Sequence, residues 1–363
     1  MRVLAVNAGS SSVKLSLLGE DNELLGHREL SVSRGVAPQD DLAEATSVLG
    51  APDAIGHRIV HGGRRFANPT LIDSDIVGAL RALTDLAPLH QPKSLAAVEA
   101  IGRLFPDLPA VACFDTAFHA SMPAAAVTYA LPAAWRERWE IRRYGFHGLS
   151  HAYVSRRASE LVGSASSARR IVSCHLGAGA SLCAIRDGRS LDTTMGFTPL
   201  EGLVMATRSG SVDPGLLLWL LEHERLSELE LASKLEHESG LLGLSGSADI
   251  RDVLSAEEEG DENAHLAITV YLHRLRAGIG AMVAALGGVD VLAFTGGVGE
   301  NAAEIRARAV AELGFLGLSI DDEANASGNG DRELTCAGAA ARTVVIEARE
   351  DLEIARQVRS VLD

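Results

Sequence analysis

Aromatic residues and cysteine are both scarce in this sequence, and each scarcity narrows the class of protein. Phe, Trp and Tyr make up 4% of the 363 residues, whereas Gly contributes 36, so small side chains must fill much of any core. The four cysteines include no CxxC pair, which argues against a disulfide framework or a cysteine-ligated zinc. Cys113 and Cys174 stand in apolar, strand-like runs and are interpreted as small hydrophobic residues. Such usage favours the reducing environment of the cytoplasm.

Positive charge is also in deficit, and long hydrophobic runs are missing. Lys and Arg number 33 against 48 Asp and Glu, a formal net charge of −15, which disfavours binding to nucleic acid or to an anionic membrane surface. The apolar stretch at the start is too short for a signal peptide, and Gly and Asp interrupt the most apolar later segment, 279–294. A small-molecule function in the cytoplasm is therefore expected, with no nucleic-acid or membrane partner. Phosphate ligands stay compatible, because they need only a local cluster of Arg and backbone N–H groups.

What the sequence does contain is a repeated pattern in which a short apolar strand runs into a loop of small residues. The pattern occurs at 3–14, 171–181 and 291–301. Glycine lets the backbone approach an anion closely, and Ser and Lys supply donors, so the three loops predict a phosphate-binding site. In the first two copies the loop leads into the alternation of a hairpin, at 14–30 and 181–194. Strand, loop and hairpin thus occur twice, which indicates two related half-domains with a cleft between them, unless the likeness arises by chance.

Helical spacing alternates with these strands, which is typical of α/β proteins. With 47% hydrophobic residues, a chain of this length is expected to form two domains with sizeable cores. The charged segment 255–263 is interpreted as a solvated connection. The predicted helices span 75–86, 92–104, 150–161, 216–235 (as one helix or two), 262–286, a segment that opens at Asn301, and 351–362.

The first loop, NAGSSSVK at 7–14, can hold a phosphate between two strands. Ser10, Ser12 and Lys14 alternate around its turn, so they can face one ligand. The GxxxxGK[ST] spacing of the common nucleotide loop is absent. A polar hairpin turn without a ligand is the alternative.

Two charged residues stand where apolar strands end. Arg58 lies inside GHRIVHGG at 56–63, where a charge is costly unless it is paired or faces a ligand. It can clamp a carboxylate or phosphate in bidentate fashion, or it can form a structural ion pair. Asp115 follows the strand-like run 106–114. A carboxylate there suits metal-linked phosphate chemistry or a general base, and the alternative is a cap on the following turn.

Two further candidates lie in irregular segments. His147, between Phe146 and a glycine, can donate a hydrogen bond to a phosphoryl group that is being transferred. The i, i+4 histidine pairs at 57/61 and 147/151 raise the question of zinc, but neither has the HExxH glutamate. Arg208 lies in a long, glycine-rich run at 191–214 and is either a second phosphate clamp or part of a surface loop.

Taken together, the motifs resemble the acetate kinase family, within the larger group of sugar kinases, Hsp70 and actin. The matching strings are colinear and cover nearly the whole chain: NAGSSSVK, GHRIVHGG, LAPLHQP, FDTAFH, RRYGFHGLSH, CHLGAGAS, TTMGFTPLEGL, TRSGSVDPG, FTGGVGEN and EDLEIAR. The resemblance implies two duplicated ribonuclease H-like, actin-like ATPase domains with a nucleotide cleft between them. We expect the first domain to comprise 1–119 with the C-terminal helix 352–363, and the second to comprise 120–351.

The resemblance also implies a role for each matching residue. The catalytic residues would be Asp115, Arg58, His147 and Arg208, with Arg58 and Arg208 holding the carboxylate and the transferring group. The acid-binding residues would be Arg58, Val60, Leu89, His90, Phe146 and Pro199. The phosphate path would be lined by Asn7, Ser10, Ser12, Lys14, His175, Leu176, Gly177, Ala178 and Gly179. Adenosine would be held by Asp249, Ile250, Arg251, Gly296, Gly297, Val298, Gly299, Glu300 and Asn301, and the metal by Asn7 and Glu350.

The implied reaction is reversible transfer of the ATP γ-phosphoryl group to acetate, which gives acetyl phosphate and ADP by direct in-line transfer. The implied partners are acetate, ATP or ADP, Mg²⁺ (or Mn²⁺ in its place) and a second copy of the chain in a homodimer. A kinase for propionate or another short-chain acid is the alternative on the same scaffold. A nucleotide-dependent switch is a further alternative, which a carboxylate clamp would disfavour. An inactive relative that only binds nucleotide is another, and it rests mainly on Ala178.

Of two departures from the family pattern, the first bears on the phosphate donor and the second on the register of Glu350. The second loop reads HLGAG where the family usually has HLGNG, so Ala178 lacks a side-chain amide near the phosphates. The residues before Glu350 are Ala348 and Arg349 where the family often has Thr-Asn. ATP and pyrophosphate both stay open as donors.

Overall fold

The computed structural model describes residues 1–9, 12–32, 38–88, 90–163 and 168–363, and these residues form two compact units. The first unit comprises Met1–Ala120, Phe146–Tyr153 and Arg349–Asp363, and the second comprises Ser121–Gly145 and Val154–Ala348. The first unit thus takes in Ala120 and two segments, 146–153 and 349–351, that the predicted division gave to the second. The reason for the former is visible in the contacts: Gly148 N donates to Asp115 O, and Leu149 packs in the core of the first unit.

The first unit is built on a six-stranded mixed sheet in the order β3-β2-β1-β4-β6-β5. Strand β1 is antiparallel to β2 and parallel to β4, β4 is parallel to β6, and the short β5 is antiparallel to β6. The strands are β1 Val3–Ala8, β2 Ser12–Leu18, β3 Leu24–Ser31, β4 Ala54–Ile59, β5 Thr70–Leu71 and β6 Ala110–Phe114. Both faces of the central strands are covered, which explains their nearly continuous apolar sequence.

The second unit contains a sheet with the same pattern, in the order β9-β8-β7-β10-β12-β11. Here β7 is antiparallel to β8 and parallel to β10, β10 is parallel to β12, and the short β11 is antiparallel to β12. The strands are β7 Arg170–Leu176, β8 Ala180–Arg186, β9 Arg189–Thr193, β10 Val291–Thr295, β11 Arg332–Glu333 and β12 Arg342–Val345. The predicted α/β class and the duplication are therefore confirmed.

Helices connect and cover the strands. They are α1 Gln39–Leu49, α2 Ser74–Arg81, α3 Gln91–Leu104, α4 Ala124–Val127, α5 Ala133–Arg138, α6 Gly148–Leu161, α7 Pro214–His223, α8 Glu228–His237, α9 Gly240–Ser245, α10 Ile250–Glu258, α11 Glu262–Leu286, α12 Gly296–Asn301, α13 Ala303–Ala311, α14 Asp322–Ala326 and α15 Glu350–Leu362. Short 3₁₀ segments lie at Thr84–Leu86, Ala117–His119 and Gly314–Leu316. No helix of the described residues has both the length and the apolar character needed to span a membrane.

Most predicted helices are confirmed, and two interpretations are wrong. The segment expected as a solvated connection from 255 is helical up to Glu258, because the Asp249 carboxylate caps α10 and Val253 anchors it in the core. The third glycine-rich segment is not an open loop, since β10 runs directly into α12. Gly296 makes this turn with a φ of +79°, and a Cβ there would lie 2.7 Å from Leu176 O.

The last helix, α15, positions a site residue by packing on the first sheet. Its buried residues Ile354 and Val358 lie against Gly56 of β4, where a Cβ would be 2.3 Å from Ile354 Cγ2. This close approach places Glu350, the first residue of α15, beside the carboxyl ends of the parallel strands. The first strand and the last helix therefore belong to one folding unit.

Candidate active site

An ion pair between Arg58 and Asp115 forms the centre of the site in the first unit. Arg58 lies near the carboxyl end of β4, and Asp115 directly follows β6, whose register with β4 pairs Ile59 with Phe114. Arg58 Nε and Nη2 donate to Asp115 Oδ2 at 3.0 and 2.7 Å. The Asp115 side chain is 1% exposed, and its Oδ1 has no hydrogen-bond partner among the described residues. A buried acceptor without a donor suggests a ligand at that position.

Asn7 joins this pair to Glu350. Its Oδ1 accepts from Arg58 Nη1 at 2.9 Å, and its Nδ2 donates to Glu350 Oε2 at 2.6 Å. Glu350 Oε2 is also 4.0 Å from Arg58 Nε. Both ends of the Asn7 amide are thus engaged within the cluster, so Asn7 connects Arg58 to Glu350.

Burial sets the ionisation of the pair. Burial is the largest influence on Asp115 and, together with the charge of Glu350, raises its pKa to about 6 even though Arg58 opposes the shift. Burial lowers the pKa of Arg58, but the two carboxylates more than offset it, so the pKa of Arg58 lies above its ordinary value. Arg58 therefore stays charged, whereas Asp115 titrates close to neutral pH.

His147 lies against this cluster through its backbone. Its φ is +55°, in the left-handed region that non-glycine residues rarely adopt. The next residue, Gly148, donates its N–H to Asp115 O at 2.9 Å, and a Cβ on Gly148 would lie 2.1 Å from that oxygen. Only glycine fits there, which explains the glycine after the histidine in the sequence.

The residues expected to hold the acid's methyl group are divided between the units. Val60 and Phe146 are buried in the first unit, and the Phe146 ring lies 5.6 Å from that of His61. His90 is the N-cap residue of α3. Pro199 belongs to the second unit, and Leu89 lies outside the described residues.

Gln91 was not singled out from the sequence, yet it organises this wall of the first unit. It is fully buried, its Oε1 accepts from His61 N at 3.3 Å, and its Nε2 donates to His61 O and Leu80 O at 3.2 Å. A polar residue next to a helix-opening proline carried no signal of burial in the sequence.

The predicted phosphate residues of the first loop lie on one face of the sheet. Lys14 is the cross-strand neighbour of Asn7 and lies 3.9 Å from Glu29, while Ser12 Oγ donates to Glu29 at 2.6 Å. Lys14 is half exposed, so this ion pair is solvated. Ser10 lies outside the described residues.

In the second unit, Arg208 is held by a carboxylate that sequence reasoning missed. Arg208 Nε donates to Glu236 Oε1 at 2.7 Å, and the two side chains are 16% and 10% exposed. Glu236 lies in α8, 28 residues further along, and no local pattern links it to Arg208. The arrangement parallels that of Arg58, whose Nε also donates to a buried carboxylate.

The second loop is tied to the Arg208 segment. Ala178 O accepts from Ala206 N at 3.2 Å, and Gly177 N donates to Gly179 O at 3.0 Å. His175 and Leu176 end β7 just before this loop. The backbone contact at Ala178 does not depend on its side chain, so the missing amide leaves the loop's connection to 205–208 in place.

The predicted adenosine residues occupy two helix starts. Asp249 caps α10 and pairs with its neighbour Arg251, whose Nε lies 3.0 Å from Asp249 Oδ1, and Ile250 is buried. Residues 296–301 form α12, in which Asn301 Nδ2 donates to the Gly297 carbonyl, while Val298 and Gly299 lie in the same turns. Glu300 accepts from Ala348 N at 3.0 Å, and burial raises its pKa.

A buried arginine that the sequence did not reveal fixes α12. Arg306 is 1% exposed, and its Nη1 donates to Gly299 O at 2.9 Å and to Glu300 O at 2.8 Å. Its Nε and Nη2 donate to Asn325 Oδ1 and O, both at 2.8 Å. Burial lowers the pKa of Arg306 to about 10, and the neighbouring Arg332 adds to that shift. The guanidinium thus satisfies carbonyls at the end of a short helix.

A second network holds the segment that contains Pro199. Arg143 Nη1 donates to the carbonyls of Thr193, Thr194 and Met195 at 3.2, 3.1 and 3.0 Å. Its Nη2 donates to Glu201 Oε1 at 2.6 Å, and Tyr129 donates to the other oxygen of Glu201 at 2.5 Å. Pro199 lies between the residues that this network fixes.

The carboxylates of the first unit suit a hard divalent cation. Asp115 Oδ1 has no hydrogen-bond partner in the described part of the chain, and Glu350 lies on the other side of Asn7. No group of three or more His, Cys, Asp or Glu side chains in the described ranges is arranged as a metal site.

The two six-stranded sheets share one strand order, and the first carries an Arg–Asp–Glu cluster at the ends of its parallel strands; this arrangement fits a kinase of the actin-like ATPase fold. Comparisons with known proteins give the same class. The chain belongs to the acetokinase family, whose model matches residues 39–356.

Individual relatives cover the whole length. The chain is 44% identical to an acetate kinase of Deinococcus deserti, over 100% of this chain and 98% of that protein. The crystal structure of Porphyromonas gingivalis acetate kinase superposes with a TM-score of 0.90 at 37% identity over all of both chains. A propionate kinase from Francisella tularensis superposes with a TM-score of 0.90 at 36% identity, over 98% of each chain.

Proposed function

We propose that this protein is an acetate kinase, which reversibly transfers the γ-phosphoryl group of ATP to acetate and gives acetyl phosphate and ADP. The observation that carries the proposal is the buried Arg58–Asp115 pair at the carboxyl ends of β4 and β6, in which Asp115 Oδ1 has no hydrogen-bond partner among the described residues. The family membership and the full-length similarity to acetate kinases support the same assignment.

The chemistry needs positioning more than base catalysis. A carboxylate oxygen of acetate forms the new bond to the γ-phosphorus, the bond from that phosphorus to the β-phosphate oxygen breaks, and ADP leaves with the electron pair. No proton has to move, because acetate is already an anion. The main obstacles are repulsion between two anions and the charge of a metaphosphate-like transition state.

Arg58 is suited to reduce that repulsion. Of its five N–H groups, three donate to Asp115 and Asn7 within the described residues, so each terminal nitrogen retains one N–H for an anionic ligand. The contacts to Asp115 and Asn7 hold the guanidinium plane before substrate arrives. We assign Arg58 to the acetate carboxylate and the transferring group.

His147 and Arg208 complete the proposed catalytic set. His147 would donate to the equatorial oxygens of the transferring phosphoryl group, and Arg208 would neutralise their charge. Preorganised donors of this kind are worth about 3–4 kcal/mol each in the transition state. The support for Arg208 is its buried ion pair, in which Nε donates to Glu236 Oε1 at 2.7 Å and so holds the guanidinium in one orientation.

Mg²⁺ is the proposed metal, with Asp115 and Glu350 as its protein ligands. Mg²⁺ fits Asp115 Oδ1, which has no hydrogen-bond partner among the described residues, and the nearby carboxylate of Glu350. When bound, such an ion neutralises phosphate charge and orients the phosphates for in-line transfer. Asn7 would hold Glu350 and Arg58 in place.

The buried Val60 and Phe146 suit a small acyl group, and acetate is the proposed acceptor. A propionate kinase is the second candidate, because one methylene changes binding by only about 1–3 kcal/mol and a propionate kinase superposes equally well. ATP is the proposed donor, with 249–251 and 296–301 at the adenosine.

The deciding experiment traps acyl phosphate as the hydroxamate. Acetate, propionate and butyrate are each offered with ATP and with pyrophosphate, and Asp115→Asn serves as the inactive control. We expect the highest kcat/KM with acetate and ATP. A higher kcat/KM with propionate than with acetate would make propionate the acceptor. Product with pyrophosphate but not with ATP would make pyrophosphate the donor. If no acid and donor gave product, the kinase assignment would be wrong.

We also propose a cytoplasmic homodimer. The helix α7, PGLLLWLLEH, has no buried residue, and Leu216, Leu218 and Trp219 are all exposed. An apolar helix that the described residues leave exposed suits an interface with a second copy. Light scattering after size exclusion should give twice the chain mass for the native protein and a lower mass for Leu218→Glu.

A further inference from the structure

The backbone at His147 adopts a conformation that the surrounding structure must enforce. A left-handed φ of +55° is strained for a residue with a Cβ, and such residues persist only where their neighbours fix them. His147 is the proposed donor to the transferring phosphoryl group, so the orientation of its backbone decides where that donor points.

Hydrogen bonds fix the peptide groups on both sides of His147. His119 Nε2 lies 3.0 Å from Phe146 O, Gly148 N donates to Asp115 O at 2.9 Å, and His151 N donates to His147 O at 2.9 Å. The Phe146 carbonyl and the Gly148 N–H are therefore held by residues of a single motif, FDTAFH at 114–119. Asp115 thus contributes its side chain to Arg58 and its backbone to the His147 turn.

His119 has the properties of a fixed donor. It is fully buried, and its ring packs against those of Phe118 and His151 at 5.7 and 5.8 Å. The Phe146 carbonyl can only accept, so the proton is on Nε2. Burial lowers the pKa of His119 to about 4, against an opposing effect of the bond to Phe146, so the ring is neutral at physiological pH.

We propose that His119 is a positioning residue for phosphoryl transfer: its Nε2–H, bound to Phe146 O, holds His147 in the left-handed conformation that aims the catalytic imidazole. The proposal rests on the proposed function for the role of His147. His119 itself does not touch the substrate, and it acts only through the 146–148 turn.

Two amide variants separate the hydrogen bond from simple packing. In His119→Gln the amide nitrogen lies as many bonds from Cβ as the histidine Nε2, whereas in His119→Asn it ends one bond short. We expect His119→Asn to lower kcat on the order of 10²-fold, with KM for acetate and ATP changed much less, because a small displacement of a catalytic group costs about that factor. His119→Gln should recover most of the loss.

A double-mutant cycle tests whether His119 acts through His147. In a His147→Ala background, His119→Asn should cause little further loss of kcat, because there is no imidazole left to aim. Equal losses in both backgrounds would overturn the proposal and leave His119 a structural residue. Ile101→Val, in the core of the same unit, controls for loss of stability alone and should leave kcat unchanged.

Hydrogen exchange gives a readout that does not require turnover. The Gly148 amide should exchange faster in His119→Asn than in the native protein and in His119→Gln, since the turn loses one of its fixed peptide groups. Unchanged exchange over 144–150 would overturn the positioning role. Absence of acyl phosphate with every donor and acceptor would instead overturn the proposed function, so the two failures are distinguishable.

Discussion

Asn7 and Glu350 are 343 positions apart in sequence, yet the Asn7 amide donates a 2.6 Å hydrogen bond to the Glu350 carboxylate. This bond fixes which acidic residue of the last helix joins the cluster. Glu353, one turn further on, is fully buried and pairs with Arg356 at 2.7 Å. The cluster of Arg58, Asp115, Asn7 and Glu350 therefore exists only when the C-terminal helix is docked on the first sheet.

Removing the Asn7 amide should weaken metal use more than folding. We expect Asn7→Leu to raise the Mg²⁺ concentration for half-maximal activity by about 10–100-fold, because residues that orient metal ligands have effects of that size. Activity titrated with Mg²⁺ measures this, and Asn7→Asp controls for side-chain volume. An unchanged Mg²⁺ requirement in Asn7→Leu would remove Asn7 from the orienting role.

Replacing Arg58 should affect both activity and stability. Arg58→Lys cannot reproduce the forked contacts to Asp115 and Asn7, so we expect kcat to fall by about 10²–10³-fold. Arg58→Ala should in addition destabilise the fold by about 3–5 kcal/mol at pH 7.5, because Asp115 is left as a buried, unpaired charge. The double variant Arg58→Ala/Asp115→Asn should regain much of that stability in urea unfolding without regaining activity.

The pKa of Asp115 predicts opposite trends of stability and activity with pH. Because folding raises this pKa from 3.8 to about 6, the folded state binds the proton more tightly. The stability that this group contributes is therefore present below pH 4 and is lost as pH rises through 6. Catalysis, which needs the ionised carboxylate, should increase over the same window.

Unfolding of the native protein and of Asp115→Asn between pH 4 and pH 7 isolates this contribution. As pH rises, the free energy of unfolding of Asp115→Asn should increase relative to that of the native protein, by about 3 kcal/mol at most. The pH profile of kcat/KM, corrected for the ionisation of acetate, gives the other trend. A constant difference across the window would assign Asp115 an ordinary pKa.

Arg208 and Glu236 should behave as a unit. Arg208→Ala should lower kcat by about 10²–10³-fold, far beyond its effect on folding, and Glu236→Gln should lower kcat to a smaller extent because it loosens the Nε anchor. The double variant Arg208→Ala/Glu236→Gln should unfold at a higher temperature than Arg208→Ala alone. Near-normal turnover in Arg208→Ala would exclude this arginine from the site.

Arg143 offers a test of acid selectivity. Arg143→Met removes the donors that hold Thr193, Thr194 and Met195 and should loosen the segment that carries Pro199. We expect the ratio of kcat/KM for acetate to that for propionate to fall by about tenfold. A change of this size lies within the effect that one methylene group has on substrate selectivity. Arg189→Met, an exposed arginine of β9, is the matched control and should leave the ratio unchanged.

The sequence predicted the elements that depend on local pattern. Helix α11 spans 262–286 as predicted, and the duplicated strand, loop and hairpin follow from alternation and turn residues. The glycines from 296 onward predict a loop, whereas in the structure Gly296 lets β10 turn directly into α12. Local pattern does not reveal whether a glycine ends a strand in a loop or in a helix.

The candidate site was predicted less completely, since its supporting contacts are distant in sequence. Arg58, Asp115 and Glu350 were identified, and the structure brings them together with Asn7. Glu236 and Arg306 were missed, because a buried partner 28 residues away or an arginine satisfied by carbonyls leaves no periodic signal. A charged residue within an apolar run indicates a candidate site residue in the sequence. The partners of such residues are identified only from the structure.

Because the two sheets have the same strand order, positions in the central strands of one sheet can be matched to positions in the other. Val3 pairs with Ala54 in the first sheet, and Ile171 pairs with Val291 in the second, so Val3 corresponds to Ile171 and Ala54 to Val291. Ile55 pairs with Ala110, which places position 109 beside Ala54, and Val291 pairs with Arg342. Position 109 therefore corresponds to Arg342. By this register Asn7 corresponds to His175, Arg58 to Thr295 and Asp115 to Ala348. The first sheet therefore carries Arg58 and Asp115 at two places where the second has Thr295 and Ala348. Introducing charges at 295 and 348 would test whether the second sheet can hold an ion pair at the same register.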